Sequence, residues 1–292
     1  MLRAGACLVW ALAAAALPQP SRAASPFYPR QPTDEDFAEH VAKLKKEQIP
    51  NDRFSVVVQR PFVVIGDESA ETVARRAKDT VRWTVEHIKK QYFALDPTSI
   101  IDIWLFADKE SYDKYTKSIF HDTPTTPYGY YSPQHRALIM NIGTGGGTLV
   151  HEIVHPFVAA NFPACPAWFN EGLASLYEQS GEIDGKIVGY PNWRLPGLQR
   201  AIKAKAVNPF EKLCATTTSE FYGDARGTNY SQARYLCYYL QEQGLLGKYY
   251  REFVKNQHDD PTGYKTLQAV LGEKDMDAFL KRWEEYVLKL EQ

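Results

Sequence analysis

The chain has little sulfur, no strong charge of either sign and no apolar run long enough for a membrane. Of 292 residues only 4 are cysteine and 3 methionine. Past the first segment, which holds Cys7, there remain Cys165, Cys214 and Cys237. In an oxidising compartment they allow one disulfide and one leftover thiol, and burial of all three as small hydrophobes is the alternative. The longest apolar stretch runs from Ala4 to Leu17, short of the roughly 20 residues that a bilayer requires. A net charge of −1, from 34 basic and 35 acidic residues, leaves no electrostatic footprint for a nucleic acid. Internal repeats and low-complexity tracts are also missing. With 44% hydrophobic and 24% charged residues, the chain suits one globular domain, or two lobes sharing a cleft, with ample core.

The N-terminus, "MLRAGACLVWALAAAALPQPSRAAS", places Arg3 before the apolar stretch, Pro18 and Pro20 after it, and small residues at Ser21 and Ala23. That order predicts a secretory signal peptide over residues 1–23, cleaved after Ala23. Cleavage removes Arg3 and Arg22 and no acid, so 34 basic residues become 32 against 35 acidic, net −3. The expected destination is periplasmic or extracellular, with no stable membrane insertion after cleavage. Residues 24–50 mix prolines with charge and predict an exposed leader, with one short helix after Thr33 as N-cap.

From residue 51 the pattern predicts an α+β fold. In "FSVVVQRPFVVIGD" two β-branched runs flank a proline, "IIDIWLF" and "RALIMNI" are strands, and 69–93 and 108–119 have helical spacing. From Thr148 onward the pattern is almost wholly helical, over 148–160, 167–179, 193–205, 229–243, 247–257, 262–271 and 275–290. The expected architecture is a small mixed sheet with helices (51–147), then a helical lobe (148–292), with the helix at 148 on their border. Clefts between lobes are where ligand sites tend to lie.

That border helix, "TLVHEIVHPFVAA", is apolar except for His151, Glu152 and His155. Buried without partners, each would cost several kcal/mol on the order-of-magnitude desolvation scale. On an α-helix, residues four apart share a face, so His151 and His155 can grip one metal ion, with Glu152 at the edge of that face. This is the HExxH zinc pattern. A catalytic zinc needs a third protein ligand and an open position for water. The glycine and third histidine of the metzincin branch do not follow here. Instead Glu171 comes sixteen positions past His155, in "PAWFNEGLASLYE", with Pro166 starting a helix and Gly172 allowing close approach of two helices. Pro156 stands directly after the second histidine, where its ring clashes with the carbonyl four residues back; it predicts a kink or an end there.

HExxH followed by "WFNEGLA" resembles the gluzincin metallopeptidases, most closely their peptidase MA-like branch. The order of "GYYSPQHRALIMNIGTGGGTLVHEIVH" is similar to that family's aromatic turn, edge strand, loop and zinc helix, and the likeness extends over about residues 54–290. The resemblance implies a zincin-like fold with Zn2+ held by His151, His155 and Glu171, and Glu152 as general base. "NYSQARYLCYYLQEQGLLGKYYREF" resembles the helix that carries a catalytic tyrosine in related zinc aminopeptidases, which assigns that role to Tyr230, with Tyr222 and Tyr235 as weaker candidates. The aminopeptidase branch's substrate-amine motif is missing, which argues against that activity; endopeptidase is the expected one, because a candidate edge strand suits an extended chain.

The implied substrate is a peptide or protein. Asn170, beside Glu171, is a candidate to orient a ligand from outside. "GTGGG" lacks the lysine and hydroxyl of a phosphate-binding loop and predicts a flexible turn. The strand Ala137–Asn141 before it is a candidate edge for an extended peptide. Two rivals stand beside the peptidase: a catalytically silent module that keeps the fold, and a zinc hydrolase of a non-protein amide.

Overall fold

Side chains alternate across a strand, and the β-branched runs use that alternation to build two apolar layers. The structure is a computed structural model; it describes residues 30–124, 126–224 and 227–292, with Gln31–Gln292 forming one compact unit. The expected signal peptide and residues 24–29 of the expected leader lie outside the described residues.

The helix α1 (Asp34–Glu47) is capped by Thr33, which exchanges hydrogen bonds with Asp36. The strands β1 (Ser55–Gln59) and β2 (Phe62–Gly66) pair antiparallel around Pro61. Next come α2 (Ala70–Arg76), a wider π turn (Ala77–Arg82) and α3 (Trp83–Gln91). They are followed by β3 (Ile101–Phe106), α4 (Lys109–Phe120), β4 (Gly129–Ser132) and β5 (Ala137–Asn141). The sheet order is β1-β2-β3-β5-β4; β3 is parallel to both neighbours and the outer strands are antiparallel.

On one face Phe62, Val64, Ile103, Leu105, Leu138 and Met140 meet the helices that carry the chemistry. On the other Val63, Ile65, Trp104, Phe106 and Ile139 pack under α1 and α4. Both faces are covered, which is why β3 is apolar throughout instead of alternating. Two expectations are corrected here. Residues 24–50 are not simply an exposed leader, because Phe37 and Leu44 of α1 are buried in the outer layer. The strand Ala137–Asn141 is not an edge, because β4 pairs along its free side and is itself the outer strand.

The second half begins with α5 (Gly147–Asn161) and α6 (Ala167–Leu176). The expected helix to 179 stops early and gives way to a hairpin, β6 (Ser180–Ile183) and β7 (Lys186–Gly189). Its turn is Asp184–Gly185, with φ of 52° and 70°, the pair of positive angles that a tight two-residue hairpin needs. Helices follow: α7 (Leu195–Lys203), α8 (Phe210–Cys214), α9 (Thr218–Tyr222), α10 (Thr228–Glu242), α11 (Leu246–Asn256), α12 (Tyr264–Leu271) and α13 (Met276–Leu288). The short α8 and α9 lie outside the expected set; five residues each give too little periodicity to detect. The chain is an α+β protein: a small mixed sheet, then helices around one hairpin. Among the described residues no helix is long and apolar enough to cross a membrane, and Cys165, Cys214 and Cys237 are free thiols.

Candidate metal centre

The helix α5 runs unbroken past Pro156, so the proline neither ends it nor displaces His155 from its face. Leu149, Ile153, Val154 and Phe157 are buried on its apolar sides and hold it against the sheet and α6. Its first turn lies against the segment just after α6: a Cβ on Gly147 would stand 2.1 Å from the Glu178 carbonyl oxygen. The last glycine of "GTGGG" is thus a close-packing residue as well as a turn residue. Gly172 also serves close approach, but toward α10, where a Cβ would lie 2.9 Å from the Ala233 carbonyl oxygen.

These contacts bring His151, His155 and Glu171 together, with one ligand atom of each within 4.8 Å of the others. The two imidazole rings are 4.8 Å apart at their centroids. His151 Nε2 is 3.2 Å from Glu171 Oε2, and His155 Nε2 is 3.8 Å from Glu171 Oε1. The closer pair is at ion-pair distance but is not aligned for a hydrogen bond, and Glu171 Oε2 is buried without a donor. Glu171 Oε1, by contrast, accepts a 2.5 Å hydrogen bond from the Tyr222 hydroxyl.

The far nitrogens of both rings face oxygen. Asn170 Oδ1 lies 2.9 Å from His155 Nδ1, which gives Asn170 the orienting contact expected of it. Glu178 Oε1 lies 3.5 Å from His151 Nδ1, too far and too poorly aligned for a hydrogen bond. Glu178 is itself gripped by Arg194 through two bonds of 2.9 and 2.7 Å and by Asn192 at 2.9 Å. Outer carboxylates and amides of this kind fix the orientation of metal-binding imidazoles.

Sequence reasoning missed Glu178 and Arg194. Glu178 had a faint signal, a carboxylate two helical turns beyond Glu171, whereas Arg194 arrives from a separate segment. It also missed Arg234, fully buried, which donates to the Ser175 carbonyl at 2.9 Å and caps the end of α6.

The electrostatics favour a cation. Burial opposes charge on His151, yet the carboxylates of Glu171, Glu152 and Glu178 outweigh it and push its pKa up to about 9. Burial would raise Glu171, but His151, then His155 and the Tyr222 hydroxyl, bring it down to about 2. Glu152 is raised by burial, with the two imidazoles offsetting part of the effect. Glu178 is lowered, because the Arg194 hydrogen bonds outweigh its burial. Three carboxylates thus surround two imidazoles, and a buried carboxylate oxygen without a donor faces one of them. Two imidazole nitrogens and a carboxylate are a donor set that could hold a zinc-type divalent ion, and this pocket of negative charge fits one.

His151 of the cluster lines a cleft of about 660 Å³, together with Glu152, Glu178, Arg194, Tyr230 and Gly129 of β4. Tyr230 sits in the first turn of α10, after Gly227 at φ 66°, with its ring 6.0 Å from that of Tyr222. The structure therefore brings two tyrosines to the site: Tyr230 on the cleft wall and Tyr222 on Glu171. Tyr235 is elsewhere; its buried hydroxyl accepts from the Asn192 backbone amide at 3.0 Å and is a packing residue. No protein-family model matches this chain, and no curated protein does either.

Proposed function

We propose that the chain is a zinc-dependent peptidase of the gluzincin, peptidase MA-like type, exported by its N-terminal segment to the periplasm or beyond. The observation that carries this reading is the donorless, buried Oε2 of Glu171 beside His151 Nε2, with His151 itself and Glu152 lining the cleft. His151, His155 and Glu171 would hold the ion. Zinc bound there would lower the pKa of a water and polarise the scissile carbonyl. Glu152 takes the proton of the attacking water and returns it to the leaving amine; its raised pKa suits a group that must both accept and donate. The Tyr230 hydroxyl donates a hydrogen bond to the developing oxyanion. Tyr222 holds Glu171 in place, Asn170 holds the His155 ring by a hydrogen bond, and Glu178 faces His151 Nδ1 electrostatically. The substrate is an extended peptide lying along the outer strand β4.

The test is metal content and cleavage of a peptide pool by the mature wild-type protein, Glu171→Ala and Glu152→Gln. One zinc per chain, lost in Glu171→Ala and kept without cleavage in Glu152→Gln, supports the reading. Zinc without cleavage by the wild type overturns the enzymatic part, and failure to bind supplied zinc overturns the whole.

A further inference from the structure

A second cavity, of about 420 Å³, lies between α3, the β6–β7 hairpin and the start of α11, and four cations line it: Lys90, Lys186, Lys248 and Arg251. No acidic residue lines it. None of the four forms an ion pair among the described residues, whereas neighbouring Lys89 is paired with Asp96 at 2.6 Å. The chain as a whole is almost neutral. Four cations without an ion pair thus share one concavity that no carboxylate lines.

The cations are directed by the backbone around them. Lys90 donates to the Gly185 carbonyl at 3.0 Å, which sets its ammonium at the hairpin turn, one residue before Lys186 in the chain. Arg251 folds back along α11, its Nη1 3.4 Å from the place a Cβ on Gly247 would occupy. The helix α11 begins without a side-chain cap and without an acidic residue in its first turn, where Lys248 stands instead. A helix N-terminus carries free N–H donors and partial positive charge, and acidic residues are the usual occupants of its first turn. Here no acidic residue stands in the first turn of the helix or lines the cavity beside it.

We propose that this cavity binds a phosphate-bearing anion. A tetrahedral oxyanion offers several acceptor oxygens to ammonium, guanidinium and backbone N–H donors together, and up to two negative charges to offset them. The floor holds Tyr92, whose hydroxyl is engaged 2.7 Å from that of Tyr177, so the polar contacts come from the cationic rim. The volume admits a phosphate or diphosphate group and excludes a folded partner.

The experiment is calorimetric titration of the full chain with inorganic phosphate and pyrophosphate at low ionic strength, alongside sedimentation with vesicles of phosphatidylglycerol or of phosphatidylcholine. Binding of either free anion assigns the site to a soluble phosphate, and binding to phosphatidylglycerol vesicles alone assigns it to a lipid phosphate; both support the proposal. Lys248→Ala/Arg251→Ala should weaken the interaction by about tenfold or more, since each charge-assisted contact is worth about that factor. Both positions are exposed, so the fold is kept; Lys90→Ala is a second variant with the same expectation. The charge-matched control Lys45→Ala/Lys46→Ala, on exposed positions of α1, should bind like the wild type. The proposal is overturned if no probe binds, if acetate binds as well as pyrophosphate, or if the control loses as much as the double variant.

Discussion

Tyr222 donates a 2.5 Å hydrogen bond to Oε1 of Glu171, joining the last residue of α9 to the middle of α6 across 51 positions of sequence. One oxygen of the carboxylate is thereby occupied, and the other, Oε2, is left facing His151. The phenol fixes the orientation of a carboxylate that could hold a metal, while the neighbouring Tyr230 ring stands on the cleft wall.

The two tyrosines are separable by experiment. Tyr222→Phe should weaken zinc binding by roughly 10–100-fold, the usual effect of removing an outer partner of a ligand. Tyr230→Phe should keep zinc affinity and lower kcat by roughly 10²–10³-fold, the loss of an oxyanion donor. Zinc titration and steady-state kinetics on both variants check this, and exchanged outcomes would exchange the roles.

Glu152→Gln preserves size and removes the carboxylate proposed as the base. Zinc content should stay at the wild-type level while kcat falls by roughly 10²–10⁴-fold, the range for losing a positioned proton-transfer group. Activity close to wild type would show that Glu152 is not the base.

Glu178→Ala removes the carboxylate facing His151 Nδ1 and leaves Arg194 without its two hydrogen bonds. Zinc affinity should fall by roughly 10–100-fold. An unchanged affinity, measured against a competing chelator, would mean that His151 is oriented by packing alone.

The metal-free protein should show a defined pH window. His151, raised from 6.5 to about 9, contributes stability that is fully present below 6.5 and is lost as pH rises through 9. Glu171, lowered from 4.5 to about 2, contributes stability present above 4.5 and lost as pH falls through 2. Both shifts describe one ion pair, so the pair supports the metal-free fold best between about 4.5 and 6.5. Zinc must displace the His151 proton, so its stabilising effect should grow as pH rises toward 9. Thermal melts across pH, with chelator and with zinc, measure both trends; a zinc effect that shrinks with rising pH would contradict the assignment.

Gly147→Ala places a methyl 2.1 Å from a backbone oxygen of the segment after α6. Neither partner is a flexible side-chain end, so a cost at or above the upper part of the roughly 1–3 kcal/mol range for overpacking is expected, read as a lower Tm. The same change at Gly145, where a Cβ has open space around it, is strained only by its φ of 112° and serves as a comparison for backbone strain without crowding.

Much of the fold was legible because its signals are local. The β-branched runs at 55–66 and 101–106 have strand periodicity, the Thr33 cap announces α1, and the apolar spacing of 148–160 is that of a packed helix. His151 and His155 could be paired from sequence because helical spacing alone puts them on one face. Glu171 came with the resemblance of its surrounding motif. The hairpin at 180–189 lies beyond the expected helix, and its strands of four residues each carry little periodicity; its one local signal is the Asp184–Gly185 turn pair.

Other features depend on contacts between distant segments, which no spacing rule encodes. Which strand forms the sheet edge was decided by β4 pairing along β5. Which tyrosine reaches Glu171 was decided by the short helix α9, and the grip on Glu178 by Arg194, sixteen positions on. The sequence by itself determined the elements and the chemical groups each carries, since periodicity and capping act within a few residues. Only the tertiary structure decided which groups meet, because burial leaves a carboxylate and two imidazoles no solvent to turn to and their partners come from wherever the packed chain brings them.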